Sequence, residues 1–219
     1  MPNLSTTIHT YLTTAPTSGF YGQDVTVLEE WRGANNLLWR VACRGEETVL
    51  KLFLDAGQAR SRRQFDGQQR FAPLGLAPRP RWYDRYPVGL ARQVLVYDWA
   101  PGHRFDPTNE TTVLAVAAVL ARVHGSDPGE VMRVSPNPIN LDYIWRMLRT
   151  SITQIDGWLA TLRSPALQQA FGQTAGAATA RINRSLPLWD GAPPAPVHGD
   201  LMLENIVVSF GSPVLVDWE

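Results

Sequence analysis

The stretch PVHGDLMLENIVVSFGSPVLVDWE, Pro196 to Glu219, sets His198, Gly199 and Asp200 in a short loop, with Asn205 five residues after the aspartate. Two apolar runs follow, Ile206-Val207-Val208 and Val214-Leu215-Val216, separated by the turn residues Gly211-Ser212-Pro213. Apolar runs flanking such a connection read as a β-hairpin. The second strand then delivers Asp217 at its tip. A carboxylate in a loop, an amide just beyond it and a second carboxylate at a hairpin end can meet on one side of a small sheet.

Phosphoryl transfer needs such a set. One Asp orients the attacking hydroxyl and accepts its proton, while an Asn and a second Asp hold the metal ions that bridge the phosphates. On this reading Asp200 is the base, and Asn205 and Asp217 are metal ligands. Mg²⁺ takes one or two protein oxygens and completes its shell with water and phosphate, so the sparse set suits it. Singly, each residue reads as an ordinary loop or turn residue. Their order carries the signal.

HGDLMLEN followed by VLVDWE resembles the signature of the aminoglycoside phosphotransferase and choline-kinase-like family, small-molecule kinases related in fold to protein kinases. The family's loop falls on His198, Gly199, Asp200 and Asn205, and its metal-binding Asp on Asp217. The resemblance implies an α+β, protein-kinase-like two-lobe fold: an N-terminal five-stranded antiparallel sheet with one helix, and a mostly helical C-terminal lobe. It implies ATP or GTP with Mg²⁺ as cofactors, and a small-molecule hydroxyl as acceptor. The acceptor would be aminoglycoside-, choline- or amino-sugar-like.

Composition agrees with that class. The 219 residues carry 20 basic and 20 acidic side chains, so bulk charge points to neither nucleic acid nor a membrane surface. No protein partner is evident. The lone Cys43 excludes an internal disulfide. The first residues, MPNLSTTIHTYLTTAPTSG, have neither the basic start nor the apolar centre of a secretory signal, and a cytoplasmic protein is expected. Of the 20 basic residues, Lys51 is the one lysine. Lys and Arg differ in shape and hydration, so a single Lys among arginines marks a place where a compact ammonium is wanted.

Three apolar runs, Val25–Trp31, Leu37–Val41 and Thr48–Leu54, are separated by Gly33-Ala34-Asn35-Asn36 and Arg44-Gly45-Glu46-Glu47. This predicts a three-stranded antiparallel meander. Alternation puts Lys51 on the strand face shared with Val49 and Phe53. The resemblance makes Lys51 the partner of the nucleotide's α- and β-phosphates, and makes the turn bearing Gly33 and Asn35 the phosphate cover. Residues 57–72 read as a helix ended by Pro73 and Gly75, with a possible short helix earlier, around Ile8–Leu12. The fold expects a Glu on the 57–72 helix to pair with Lys51, and the segment has none. Either Asp66 substitutes with a shorter reach, or Gln64 gives a neutral hydrogen bond.

Pro80–Tyr86 and Gln93–Asp98 complete the five strands. By resemblance Asp98, Trp99 and Ala100 form a hinge whose backbone meets the adenine edge. The lobes are then 1–98, a hinge at 99–102, and 103–219. In the second lobe, Thr111–His124 is apolar round most of its circumference and reads as a buried helix. Leu141, Ile144, Leu148, Ile152, Ile155 and Leu159 mark an amphipathic helix. Residues 165–186 give a weaker helix, followed by a linker from Pro187 to Pro196. Tyr143, Trp145 and Trp158 read as packing residues in preference to the lining of a substrate cleft. Family members continue past the position of Asp217 into further helices that complete this lobe, so the lobe is expected to be incomplete. The alternative function is a nucleotide-binding pseudokinase or an inactive fragment of such a kinase.

Overall fold

The computed structural model describes residues 4–33, 35–55, 59–129, 141–162, 164–190, 193 and 195–218. The apolar runs of the first hundred residues form strands β1 (Thr26–Arg32), β2 (Asn36–Cys43), β3 (Glu46–Phe53), β4 (Pro80–Asp84) and β5 (Val94–Asp98). They make one antiparallel sheet in the order β1-β2-β3-β5-β4. Arg44 (φ 52°) and Gly45 (φ 81°) lie between the paired residues Cys43 and Glu46. Two successive left-handed residues are what a two-residue hairpin turn requires, because that turn follows the right-handed twist of the strands.

The pleat sorts the side chains of this sheet onto two faces. Trp39, Val41, Leu50, Leu52, Val94 and Val96 pack on one face with Ile8, Tyr11 and Leu12 of helix α1 (Leu4–Thr14). Burying Ile8 and Leu12 contributes about 1.5–3 kcal/mol each. The short helix suggested by Ile8–Leu12 is therefore longer, and it covers the back of the sheet. The other face carries Val49, Phe53, Leu95 and Tyr97, with Phe65 of helix α2 (Arg60–Phe71) against them.

A smaller sheet follows, β6 (His103–Arg104), β7 (Ile206–Ser209) and β8 (Ser212–Leu215), with β7 in the middle. The β7–β8 turn is Phe210-Gly211, with φ of 48° and 80°, and Ser209 opposes Ser212. This corrects the expected turn Gly211-Ser212-Pro213. Proline cannot take positive φ, so Pro213 falls inside β8, an edge strand that tolerates its missing N–H. Ile206 and Leu215 pack with Phe71, Leu76, Trp218 and with Val116, Val119 and Val123 of helix α3 (Glu110–His124). Asn109 caps α3 by accepting from the Thr112 N–H at 3.2 Å. The circumference of α3 is not wholly buried as its composition suggested. Its buried valines form one stripe, and Leu114 is 62% exposed.

These elements belong to one compact unit, Met1–Ser135 with Ala195–Glu219, and Pro136–Pro194 form a second. In the second unit, helices α4 (Leu141–Thr161) and α5 (Pro165–Asp190) pack together. Trp145 is buried and its Nε1–H donates to Asn183 at 3.2 Å, while Tyr143 and Trp158 are exposed. Helix α5 runs through Pro187 to Asp190, so the predicted linker start is corrected. An interior proline costs a helix about 3 kcal/mol and tends to end it, but here it sits in the last turn. No helix among the described residues is long and apolar enough to cross a membrane.

Candidate active site

Lys51 lies at the centre of the pocket-side face of the large sheet, opposite Leu38 on β2 and Leu95 on β5. It is only 2% exposed. A buried ammonium must be paired and hydrogen-bonded, since desolvation of an isolated charge is very costly. Its Nζ makes an ion pair with Asp217 at 2.5 Å, donates to Gln64 Oε1 at 3.0 Å and lies 5.2 Å from the Phe53 ring centre. Gln64 Nε2–H donates in turn to the same Asp217 oxygen, Oδ1. Lys is a pure donor and carboxylate a pure acceptor, so these partners fix which way the amide faces.

The choice left open between Gln64 and Asp66 is thus decided for Gln64, and Asp66 as a cofactor-binding residue is corrected. Residues two apart on an α-helix lie about 200° apart around its axis and cannot share a face. Helix α2 turns Ser61, Gln64, Gln68 and Phe71 inward. Asp66 pairs instead with Arg62 at 3.5 Å, and burial raises its carboxyl pKa against the pull of that guanidinium.

The loop before β7 is tied together by its own amides. Asn205 Nδ2–H donates to the Asp200 carbonyl at 2.8 Å and to Asp200 Oδ2 at 3.2 Å. The Val216 N–H donates to the Asn205 carbonyl at 2.9 Å, which joins the loop to the segment leading into Asp217. Asp217 itself is left-handed, with φ 65°. An Asp tolerates that conformation better than most residues, and the strain is of a kind that clusters at functional sites. Trp218 stacks flat on Phe71 with centroids 4.3 Å apart and meets His198 at 4.6 Å. This aromatic column links α2, the Asp217 segment and the Asp200 loop. Gly67 permits it, because a Cβ there would lie 2.9 Å from the Trp218 Cβ. Burial holds the His198 imidazole below its ordinary pKa, and its Nδ1 accepts from the Asp200 N–H at 3.4 Å.

Lys51, Gln64, Asp200, Asn205 and Asp217 line a cleft of about 700 Å³. Of the residues singled out from the sequence, Lys51, Asp200, Asn205 and Asp217 line it, as do Gly33, Asn35, Trp99 and Ala100. Asp66 and Asp98 do not. The Asp98 carboxylate is held by Arg79 at 3.0 Å and by Arg81, and its N–H donates to the Arg79 carbonyl at 2.9 Å. The Trp99 N–H likewise serves the sheet, donating to the Glu47 carbonyl at 3.0 Å. Asp98 therefore ends the interior strand β5 with its carboxylate tied to two arginines, and of the three expected hinge residues Trp99 and Ala100 line the cleft.

Sequence reasoning missed the apolar wall of the cleft, Trp31, Leu38 and Tyr97, and the basic side chains Arg32, Arg60 and Arg104. The wall had a signal. Trp31 opposes Leu38 and Leu38 opposes Lys51, and residues paired across antiparallel strands share a face. The arginines had none, because their positions come from strand ends and a helix start.

Asp217, Asn205 and Asp200 offer only hard oxygen donors toward a metal ion, which fits Mg²⁺. Both donors found on Asp217 converge on Oδ1. The Asn205 amide uses its Nδ2–H within the loop, and its Oδ1 is the donor it can offer.

The phosphotransferase enzyme family model matches residues 27–219. Among solved structures, a spectinomycin phosphotransferase in complex with ADP and spectinomycin is similar at TM-score 0.56 and 14% identity, covering 91% of this chain and 65% of its own. A candidate aminoglycoside phosphotransferase from Ralstonia eutropha gives TM-score 0.59 and 16% identity over 98% of this chain and 64% of its own. An ethanolamine kinase of Plasmodium vivax gives TM-score 0.51 and 13% identity over 90% and 56%. At these identities the likeness establishes the protein-kinase-like fold. The chain spans less than two-thirds of the length of each of these three proteins. A sequence search among curated proteins finds no match.

Proposed function

The chain belongs to the phosphotransferase enzyme family, and on that premise we propose that it moves the γ-phosphoryl group of ATP or GTP to a hydroxyl of a small molecule. The acceptor class is aminoglycoside-, choline- or amino-sugar-like, in keeping with the spectinomycin and ethanolamine enzymes of the same fold. One observation carries the reading: a buried Lys51 shares a cleft with Asp200, Asn205 and Asp217.

Trp31, Leu38 and Tyr97 would give the nucleotide base an apolar slot, with Trp99 and Ala100 beside them in the cleft lining. Lys51 pairs with the phosphates. Asn205 and Asp217 would hold Mg²⁺, which when bound neutralises charge on the phosphates. Asp200 orients the acceptor hydroxyl in line with the γ-phosphorus and takes its proton. The new bond joins the acceptor oxygen to that phosphorus, the bond to the bridging oxygen breaks, and the nucleoside diphosphate leaves. Positioning and electrostatics supply the acceleration, because the transition state asks little covalent chemistry of the protein.

The test is thermal stability with and without Mg-ATP, followed by transfer to a panel of hydroxylated amines. A ligand that binds the folded state raises the midpoint by mass action. The rise should vanish in Lys51→Ala, while Asp200→Asn should keep the rise and lose transfer. A folded chain whose midpoint ignores Mg-ATP sinks the proposal. The neutral Gln64 favours a second reading, a nucleotide-binding pseudokinase, which predicts the same rise with no transfer to any acceptor.

A further inference from the structure

We infer that Arg40, held by Glu47, is a positioning residue that fixes the Trp99 indole beside the slot for the nucleotide base. The inference rests on the phosphotransferase reading and adds to it how the base is gripped. Strand pairing sets Glu29, Arg40, Val49 and Tyr97 in one row across β1, β2, β3 and β5, on the face that carries Leu38 and Lys51 in the next row. Val49 and Tyr97 line the cleft and Arg40 does not. Its guanidinium lies instead over the Trp99 ring, 4.6 Å from the ring centre, within reach of a cation–π contact. Arg40 Nε–H and Nη2–H donate to one oxygen, Glu47 Oε2, at 2.8 and 2.6 Å, and Nη1 lies 3.8 Å from Glu29 Oε2. Glu47 holds Trp99 in a second way, because its carbonyl accepts the Trp99 N–H at 3.0 Å. Trp31 meets the same indole edge-on, with centroids 6.2 Å apart and planes at 73°.

The backbone explains why this indole matters. The N–H groups of Asp98 and Trp99 already donate to the Arg79 and Glu47 carbonyls, so the grip on the base falls largely to ring surfaces. An aromatic wall binds best when it is ordered before the ligand arrives, since ordering a side chain during binding costs affinity. Arg40 and Glu47 supply that order from outside the cleft. A planar guanidinium suits the task, because it can lie on an aromatic face while its N–H groups hold a carboxylate. The charge of Arg40 is answered by Glu47 and Glu29, so it adds little field at the phosphates. Its effect is therefore on the base and not on the phosphate chain.

Calorimetric titration with Mg-ATP, Mg-GTP and Mg-tripolyphosphate separates the two, because tripolyphosphate carries the phosphate chain without a base. Arg40→Gln should weaken the tighter nucleotide about fivefold, the scale of one partly exposed cation–aromatic contact, and leave tripolyphosphate within about twofold. Trp99→Ala should show the same base-selective loss, and adding Arg40→Gln to it should weaken the nucleotide no further, because the two residues act through one contact. A merely structural role for Arg40, or a direct pull on the phosphates, would weaken tripolyphosphate as much as the nucleotide. Equal losses for both ligands, or a nucleotide affinity unchanged in Arg40→Gln, overturn the inference. Where Arg40→Gln does not fold, Glu47→Gln loosens the guanidinium and keeps the backbone carbonyl. It should weaken the nucleotide and spare tripolyphosphate, and an unchanged nucleotide affinity there overturns the inference as well. A wild-type chain that binds tripolyphosphate as tightly as either nucleotide overturns the base grip while the phosphate site stands. A folded wild type that binds none of the three overturns the phosphotransferase reading together with the inference.

Discussion

Asp217→Asn isolates the charge in the hydrogen bonds that join Lys51, Gln64 and Asp217. Asn matches Asp in shape and tolerates the left-handed backbone that Asp217 adopts at φ 65°, so neither sterics nor strain changes much. Its Oδ1 can still accept from Gln64. What is lost is the anion beside a side chain that is 3% exposed, whereas the Asp217 side chain is 20% exposed. Removing one partner of a buried pair costs about 3–5 kcal/mol. The partial exposure of Asp217 lets water relieve some of this, which places the expectation near the lower end, about 3 kcal/mol. For a chain of this length that lowers the thermal midpoint by roughly 6–12 °C. Adding Lys51→Met to Asp217→Asn removes the stranded cation, so the double variant should be more stable than Asp217→Asn alone. Urea unfolding followed by tryptophan fluorescence completes the cycle. A loss below about 1 kcal/mol, or a double variant no better than Asp217→Asn, would refute the view that the pair is a buried, mutually dependent unit.

Trp218→Ala should cost about 3–5 kcal/mol, because it empties the space between Phe71 and His198 at a site 2% exposed; urea midpoints measure it. Phe210→Asn should stabilise the chain by about 0.5–1 kcal/mol in the same assay, since Phe210 is 92% exposed and its φ of 48° favours Asn before Gly211. Stability should also fall on acidification. Burial lowers the folded His198 below its ordinary 6.5, so as pH drops through 6.5 the unfolded chain binds a proton that the folded chain refuses. This contribution is whole above pH 6.5 and shrinks until the folded imidazole itself protonates. His198→Gln should flatten that part of a stability–pH curve, and an identical curve would show that His198 titrates normally.

Much of the site was legible in residue order. The spacing of Asp200, Asn205 and Asp217 around a hairpin and the single lysine in an alternating strand are local features, and local geometry fixes what they imply. A strand pleats with period two, so Lys51 had to share a face with Val49 and Phe53. A hairpin has to bring its ends together, so Asp217 had to return to the Asn205 loop. Even so, Gly211-Ser212-Pro213 looks like the turn in one dimension, whereas the positive φ values fall at Phe210 and Gly211.

Tertiary structure decided the rest. Whether Gln64 or Asp66 meets Lys51 depends on the rotation of α2 about its axis, and Phe71 stacking on Trp218, far away in sequence, sets that rotation. Whether the Asp98 carboxylate reaches the cleft depends on Arg79, just before β4, and Arg81, within it. The sequence by itself determined the lysine, the two aspartates and the asparagine of the site, because strands and hairpins are short-range objects. Their partners, and the replacement of a second carboxylate by a neutral amide, were decided by contacts between segments that only the folded chain brings together.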